Sequence, residues 1–416
     1  MADTFLTHSM IAERALFDLQ NQLTMSKHVY KGYNSEFNSS IGGYKKGASM
    51  TIHLPNKFRA KDGVTLDTVG IQEQSTTITV DKQKHVAWDF LETDLTLKIT
   101  DFSRKYVRPA TVTLANIVDL GGCNEYSNLY NSVGTPGTTP ATFGVLADAA
   151  TRMDNEAIPR TDRLCVFSPK AHWSMADGEL KGVFQQNIVD KLLRKGFIGN
   201  FALMDFYMDQ NIQTHTVGLW STGSTGVMNG ATAEGATSLV TDGWANSTAI
   251  LKNGDVFTVA ATVGVNPVSG QAWEGNELRQ FVATADVTSD GSGNATIPIA
   301  PKIYSSAAGE DYLPYQTVVS LPANGAAITV LGTESTAYPQ NMAYHPDCFA
   351  LTMVPYARPK SAGQSVMWGQ ANDPQMGLSI TVSTAFDITN YLEVTRLDIL
   401  YGWDTIRPEL GLRITG

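Results

Sequence analysis

Cysteine is scarce in this 416-residue chain, which carries only Cys123, Cys165 and Cys348. Their number is odd and they lie far apart, so they cannot form a disulfide framework or a CxxC metal pair. Folding in a reducing cytoplasm is the plain interpretation. No run of about 18 apolar residues occurs, and the first residues, MADTFLTHSM, lack the pattern of a secretory signal. We expect no membrane-spanning helix and no secretion.

Catalytic signatures are also missing. There is no phosphate-binding loop, dinucleotide fingerprint, HExxH helix, EF-hand or nucleophile elbow, and no two histidines are spaced to share a metal. Residues 286–294 (DVTSDGSGN) favour a hairpin turn over a calcium loop, because no carboxylate stands at the bidentate position. His345 precedes Cys348 closely, but this arrangement fits a buried thiol better than a nucleophile. We expect that the protein is not an enzyme and binds no cofactor or metal. A hydrolase that uses His345 and Cys348 is the least favoured alternative.

Positive charge is scarce between residues 217 and 341. This stretch has 3 of the 30 basic residues and 10 of the 40 acidic ones, so it carries −7 of the formal net charge of −10. Its short apolar runs are separated by Gly, Asn and Pro, which predicts an antiparallel barrel or sandwich inserted into a host domain. The acidic balance argues against a nucleic-acid reader, although it permits a shell that encloses nucleic acid without gripping it.

The first predicted element is a helix over residues 9–25. Ile11, Ala15, Leu19 and Leu23 recur every four residues, and Ser9 is the expected N-cap. Periodicity alone favours a helix packed on its own domain. The alternative is an arm on a neighbouring molecule, in which case Ile11 and Leu19 would be assembly contacts.

Residues 48–90 predict a long two-stranded ribbon. Its tip is turn-rich and basic, with Lys57, Arg59 and Lys61. A two-stranded ribbon is marginal in water, so its apolar face needs another strand, a helix or another molecule. One interpretation is a hairpin that packs on its own domain. The length of the ribbon and the positive charge of its tip favour the other, in which the tip contacts acidic surface on an adjacent subunit. The expected strands contain Met50, Ile52 and Leu54 on the way out and Ile78, Val80, Val86 and Trp88 on the return.

The remaining elements are helices followed by strands. In the predicted helix over 102–131, Pro109 belongs in the first turn, while Gly121 and Gly122 weaken the middle. The chain's last strands must pair with host elements that come much earlier in the sequence. The other predictions are helices over 142–157 and 170–195 and strands over 164–167, 348–354 and 376–416.

This order of elements resembles the P22-type coat proteins of tailed bacteriophages. Five segments carry the likeness, which covers nearly the whole chain. Three lie in the acidic stretch: GDVFTV (254–259), VNPVSG (265–270) and LRQFVATADVT (278–288). The other two are QNMAYHPDCFALTMVP (340–355), where the host domain resumes, and the C-terminal LYGWDTIRPE (400–409). The family's long acidic loop early in the inserted domain is absent, with only Glu234 and Asp242 there.

The resemblance implies an α+β, HK97-like capsid fold with a spine helix. Residues 1–40 would form the N-terminal arm and 44–90 the E-loop, a long β-hairpin. Residues 91–165 and 376–416 would form the peripheral domain, 166–216 and 342–375 the axial domain, and 217–341 an inserted antiparallel β-barrel.

The implied function is that of a major capsid protein whose pentamers and hexamers form an icosahedral shell around double-stranded DNA. A scaffolding protein and a portal are the implied partners, with no membrane and no sequence-specific DNA contact. The implied location is the virion, assembled in the host bacterial cytoplasm. No Lys–Asn pair can be assigned to a covalent cross-link. The alternative is a tail or decoration protein that uses the acidic stretch as an Ig-like binding module.

Overall fold

The computed structural model describes residues 8–33, 48–60, 63–64, 68, 70–91, 103–177, 200–221, 225–356, 366–373, 377–387 and 392–415. The chain forms two compact units. The first comprises residues 1–52, 76–123 and 349–406, and the second comprises residues 53–75, 124–348 and 407–416.

Four α-helices and 23 strands are present in the described part of the chain, so the predicted α+β class is confirmed. The helices are α1 (His8–Gln22), α2 (Arg108–Cys123), α3 (Phe143–Asn155) and α4 (Pro169–Asp177). The strands are β1 (Ala48–His53), β2 (Ser75–Val80), β3 (Lys82–Leu91), β4 (Ser132–Val133), β5 (Arg163–Phe167), β6 (Asn200–Phe201), β7 (Met204–Met208), β8 (Thr214–Thr216), β9 (Val227–Met228), β10 (Ala236–Asp242), β11 (Ala249–Leu251), β12 (Val256–Val263), β13 (Leu278–Ala283), β14 (Val287–Thr288), β15 (Ala295–Ile303), β16 (Ile328–Val330), β17 (Ala337–Pro339), β18 (Asn341–Tyr344), β19 (Phe349–Met353), β20 (Val366–Asp373), β21 (Leu378–Asp387), β22 (Leu392–Thr405) and β23 (Gly411–Ile414).

The first unit is organised around the long strand β22. On one side β22 pairs with β21, and β20 extends the sheet beyond β21. On the other side β22 pairs antiparallel with β3 and then with β19. This pairing of a C-terminal strand with β3, far earlier in the chain, confirms the expected long-range return of the chain.

Helix α1 packs against α2, β20 and β21 of the same unit. Its apolar stripe buries Ala12, Ala15 and Leu19 completely, as expected when one helix face covers a sheet. This agrees with the interpretation of a helix packed on its own domain. The helix already includes His8, so Ser9 lies inside it and the predicted N-cap was wrong.

The ribbon differs from its prediction in its second half. Strands β1 and β2 form the expected two-stranded sheet. The return was predicted to include Val86 and Trp88, but both belong to β3, which leaves the ribbon and pairs with β22. Asp81 alone separates β2 from β3. The alternating pattern of the two strands is therefore continuous in sequence, although their partners differ.

Helix α2 is shorter than predicted. A π-helical turn over Ser103–Val107 precedes it, Pro109 lies in its first turn as expected, and it ends at Cys123. The chain then continues as a 3₁₀ turn, Asn124–Asn128, so the predicted helical run to residue 131 was wrong. Helix α4 begins as predicted, whereas residues 178–195 of that predicted helix lie outside the described residues.

The second unit contains the inserted barrel. Six strands follow the order β16-β12-β13-β15-β10-β9, and a bridge between Val227 and Ala327 joins the two ends of that sheet. The interior is apolar, with Leu239, Phe257, Phe281 and Ile297 among its fully buried side chains. The prediction of an antiparallel barrel is confirmed by this nearly closed sheet, whereas the domain bounds 217–341 remain a prediction.

A second six-stranded sheet in the same unit follows the order β4-β23-β18-β5-β7-β6. The chain's last strand, β23, lies between β4, which it meets in parallel, and β18, which it meets antiparallel. Both neighbours flank the barrel in sequence, and helix α3 packs on β4 and β23. The finer division into arm, E-loop, peripheral and axial domains remains a prediction.

Candidate functional site

The ribbon tip, residues 53–75, belongs to the second unit and contacts the barrel segment 311–316. The hydroxyl of Tyr315 donates a hydrogen bond to the carbonyl of Gln72 at 2.7 Å. The amide of Lys57, on the opposite flank of the tip, lies 3.5 Å from the same hydroxyl oxygen. The amide of Gly70 donates to Oδ1 of Asp311 at 2.8 Å. One barrel segment therefore contacts both flanks of the tip.

The basic residues predicted at the tip are engaged within the chain where they are described. Arg59 Nη2 donates to Oε1 of Gln316 at 3.0 Å, and the ammonium of Lys57 lies 6.0 Å from the centre of the Tyr315 ring. Lys61 lies outside the described residues. Contact of these cations with acidic surface on a neighbour remains a prediction.

Ile11 and Leu19, the other predicted assembly contacts, are buried on α1. Leu19 is fully buried and Ile11 is 8% exposed. Packing inside the first unit accounts for the four-residue periodicity of this helix. Both side chains are core residues in this conformation, and their role as assembly contacts remains a prediction.

Sequence reasoning missed the apolar side chains of the tip. Phe58 is 72% exposed, Ile71 is 61% exposed and Val64 is fully exposed. Single exposed apolar residues are ordinary, but three exposed apolar side chains within one ribbon tip form a candidate contact surface. One feature of the sequence could have indicated this surface. Phe58 lies between Lys57 and Arg59, where neither the periodicity of a strand nor that of a helix calls for an apolar residue.

A buried polar row lies where the chain enters the barrel. His215 Nε2 is 2.7 Å from Oδ1 of Asp255, and the Tyr126 hydroxyl is 3.1 Å from His215 Nδ1. The other oxygen of Asp255 accepts the amides of Gly218 and Lys252. Every hydrogen-bonding atom of this carboxylate is thus engaged, and Asp255 is 1% exposed. The row lacks an accessible nucleophile, so its chemistry fits a structural role.

A second polar link joins the barrel to α3. Nη1 of Arg279, on β13, donates to Oε1 of Glu156 at 2.5 Å, and both side chains are almost completely buried. The guanidinium also lies 4.8 Å from the centre of the Tyr130 ring and 5.1 Å from that of Trp273. This aromatic cage excludes water, so the ion pair acts at low dielectric. Arg279, the single arginine between residues 217 and 341, therefore links the barrel to the end of helix α3.

The His345–Cys348 pair lacks the features of a catalytic dyad. Burial raises the pKa of the Cys348 thiol well above its ordinary value, which disfavours the thiolate. Burial also lowers the pKa of His345, and its Nδ1 accepts the amide of Asp347 at 3.3 Å. All three cysteines are buried, and none of them forms a disulfide. Within the described part of the chain, no cluster of three metal-ligating side chains occurs and no helix is long and apolar enough to span a bilayer.

Comparison with protein families gives a match over the entire chain. The family is described as the P22 coat protein, gene protein 5, and its model matches residues 1–416. The chain belongs to the P22 coat protein family. Its function is that of a phage major capsid protein, the self-assembling subunit of an icosahedral shell. The resemblance read from the sequence is thereby confirmed, and a tail or decoration role is not favoured.

The solved structures that match this chain include phage capsids. A chain from Mycobacterium phage Che8 has a TM-score of 0.45 and 11% identity, covering 94% of this chain and 90% of that one. The capsid of Ralstonia phage GP4 gives 0.42 and 9% identity, covering 89% and 83%. A virus-like particle from Pyrococcus furiosus gives 0.37 and 7% identity, covering 97% of each chain. These scores are low, so the assignment rests on the family match. No curated protein matched the chain.

Proposed function

We propose that the ribbon tip of this coat protein is a contact between subunits of the shell. The supporting observation is the exposure of Phe58, Val64 and Ile71 within the ribbon tip. Burying each such side chain contributes about 1.5–3 kcal/mol, part of which is offset by ordering and desolvation. Contacts of this modest size, repeated over a closed shell, allow misplaced subunits to detach before the shell is complete.

The basic residues of the tip have a secondary role in this proposal. Arg59 already has a partner in Gln316, so it is less available to a neighbour than an unengaged cation would be. Lys57 and Lys61 can still meet acidic surface on an adjacent copy. Exposed ion pairs contribute only about 0–1 kcal/mol each, so the apolar side chains dominate the contact.

The partners follow from the coat-protein role. A scaffolding protein directs assembly of the precursor shell, a portal occupies one vertex, and the completed shell encloses double-stranded DNA without sequence-specific contacts. The net charge of −10 suits enclosure, because it limits non-specific adhesion to nucleic acid. Assembly takes place in the host bacterial cytoplasm, and the chain has no catalytic activity.

Co-expression with a scaffolding protein, followed by electron microscopy, tests the proposal. Closed shells built from the wild-type chain are the expected product, and substitution of the tip's apolar residues by serine should reduce their yield. Normal shells from the substituted chain would eliminate the tip as a contact while leaving the family assignment intact.

A further inference from the structure

The barrel segment 311–316 contacts the ribbon through side chains from two directions. Tyr315 approaches both flanks of the tip with one hydroxyl, and Asp311 accepts the amide of Gly70. Gln316 is itself fixed, because it is 5% exposed and its Nε2 donates to the carbonyl of Val318 at 2.9 Å. Its Oε1 is therefore held in place for Arg59.

The ribbon needs such an attachment. Its only sheet partners among the described residues are β1 and β2 themselves, and a two-stranded sheet is marginal in water. Beyond Leu54, whose amide bonds to the carbonyl of Gln74, the described backbone of the tip has no ladder to hold it. Without the barrel segment, the exposed apolar residues would sample many directions.

We propose that Asp311, Tyr315 and Gln316 are positioning residues for assembly, which hold the chain's own ribbon tip in one orientation so that it presents Phe58 and Ile71 to the next subunit. The inserted barrel would thus take part in assembly indirectly, by ordering the ribbon before subunits meet. Ordering in advance lowers the entropy that each contact must overcome. This inference rests on the proposed role of the tip as a contact between subunits.

Tyr315→Phe tests the hydroxyl and retains the ring beneath Lys57. Asp311→Ala removes the acceptor of the Gly70 amide, whereas Asp311→Asn keeps an oxygen that can accept it. Tyr304→Phe is the matched control, because Tyr304 stacks on Tyr312 in the same unit, with 5.2 Å between ring centres.

Two measurements on the full-length chain are needed. In the unassembled protein, Asp311→Ala should raise hydrogen exchange at the Gly70 amide roughly two- to tenfold, as expected for one lost hydrogen bond. Tyr315→Phe should do the same at the ribbon flanks. With scaffolding protein present, both should slow shell formation followed by light scattering, with an unchanged urea midpoint. Tyr304→Phe and Asp311→Asn should resemble wild type in both measurements.

Three results would overturn the inference. Unchanged exchange in Tyr315→Phe and Asp311→Ala would show that the attachment does not order the tip. Raised exchange with a wild-type assembly rate would show that tip orientation is irrelevant, and faster assembly would make the attachment inhibitory. Failure of the proposed contact itself is detected separately, since a Phe58→Ser, Ile71→Ser chain would then assemble normally while its Gly70 amide stayed protected.

Discussion

The indole Nε1–H of Trp403 donates a hydrogen bond to the main-chain carbonyl of Val118, 3.0 Å away in helix α2. The ring also lies directly over two helix residues that lack side chains. A Cβ on Gly121 would lie 2.9 Å from Trp403 Cδ1, and one on Gly122 would lie 2.8 Å from Cζ2. The C-terminal signature segment and α2 are thereby joined through a contact that only glycine permits.

Gly122→Ala should therefore destabilise the first unit. Helix propensity favours alanine by about 1 kcal/mol, but the added methyl must displace a large buried ring, and overpacking of this kind costs about 1–3 kcal/mol. We expect a net loss of up to about 2 kcal/mol, measured as a lower urea midpoint of the unassembled chain.

Gly144→Ala provides the control for that prediction. Gly144 also lies in a helix, α3, but its added Cβ would meet nothing nearer than Thr142 Oγ1 at 3.7 Å, an ordinary contact distance. The substitution should be neutral or stabilising by up to about 1 kcal/mol. Equal destabilisation by the two substitutions would mean that Trp403 is not the reason for Gly122.

The sequence predicted the helix around Gly121 and Gly122 but not the purpose of the glycines. Read locally, two glycines only weaken a helix. Their partner, Trp403, is some 280 residues away in sequence, and no local pattern connects them. The strand containing Trp403 was nevertheless predictable, because alternation of Leu397 and Ile399 with polar residues is a local property. Periodicity reveals elements, whereas pairings between distant elements depend on tertiary packing.

The ribbon shows the same limit at the candidate site. Alternation predicted the strands but assigned Val86 and Trp88 to the ribbon, since a change of strand partner at Asp81 leaves no mark on the pattern. Charge drew attention to Lys57 and Arg59, which the structure engages within the chain. The sequence shows only that Phe58 lies between two cations; its exposed fraction depends on which residues the barrel covers.

The buried pair between Arg279 and Glu156 yields a second prediction. Arg279→Met leaves the Glu156 carboxylate buried without its partner, and breaking one side of such a pair costs about 3–5 kcal/mol. Replacing both residues, with Glu156→Leu added, should recover most of that loss, because no isolated charge remains. Urea unfolding of the single and double variants measures the difference; a double variant as unstable as the single one would refute the argument.

Arg396→Met is the matched surface control. Arg396 Nη2 also approaches a carboxylate, that of Asp398 at 2.6 Å, but its side chain is 39% exposed. Solvent competes for such a pair, so the expected loss is about 0–1 kcal/mol. A loss as large as that of Arg279→Met would show that burial does not govern the difference.

Alkaline pH should destabilise the folded chain through its buried thiols. Burial raises the pKa of Cys165 and of Cys348 well above the ordinary value. In the unfolded chain these thiols ionise near pH 8.5, while in the folded chain they stay protonated. The unfolded state then binds fewer protons, so stability is retained below that pH and declines above it.

Unfolding midpoints should fall from about pH 8.5 upward, and a Cys165→Ala, Cys348→Ala chain should show a shallower fall between pH 8.5 and 10. Identical pH profiles would contradict this assignment.

The last prediction concerns the exposed side chains of the ribbon tip. A Phe58→Ser, Ile71→Ser chain should keep its urea midpoint, since substitutions at exposed positions usually change stability by within about 0.5 kcal/mol. The same chain should need at least about tenfold more protein to form shells, because each lost apolar contact weakens the interface by roughly 1.5–3 kcal/mol before offsets. Val240→Ser, at a barrel position 51% exposed, is the control and should assemble normally. If both chains require the same higher concentration, exposed apolar surface in general, and not the tip, drives assembly.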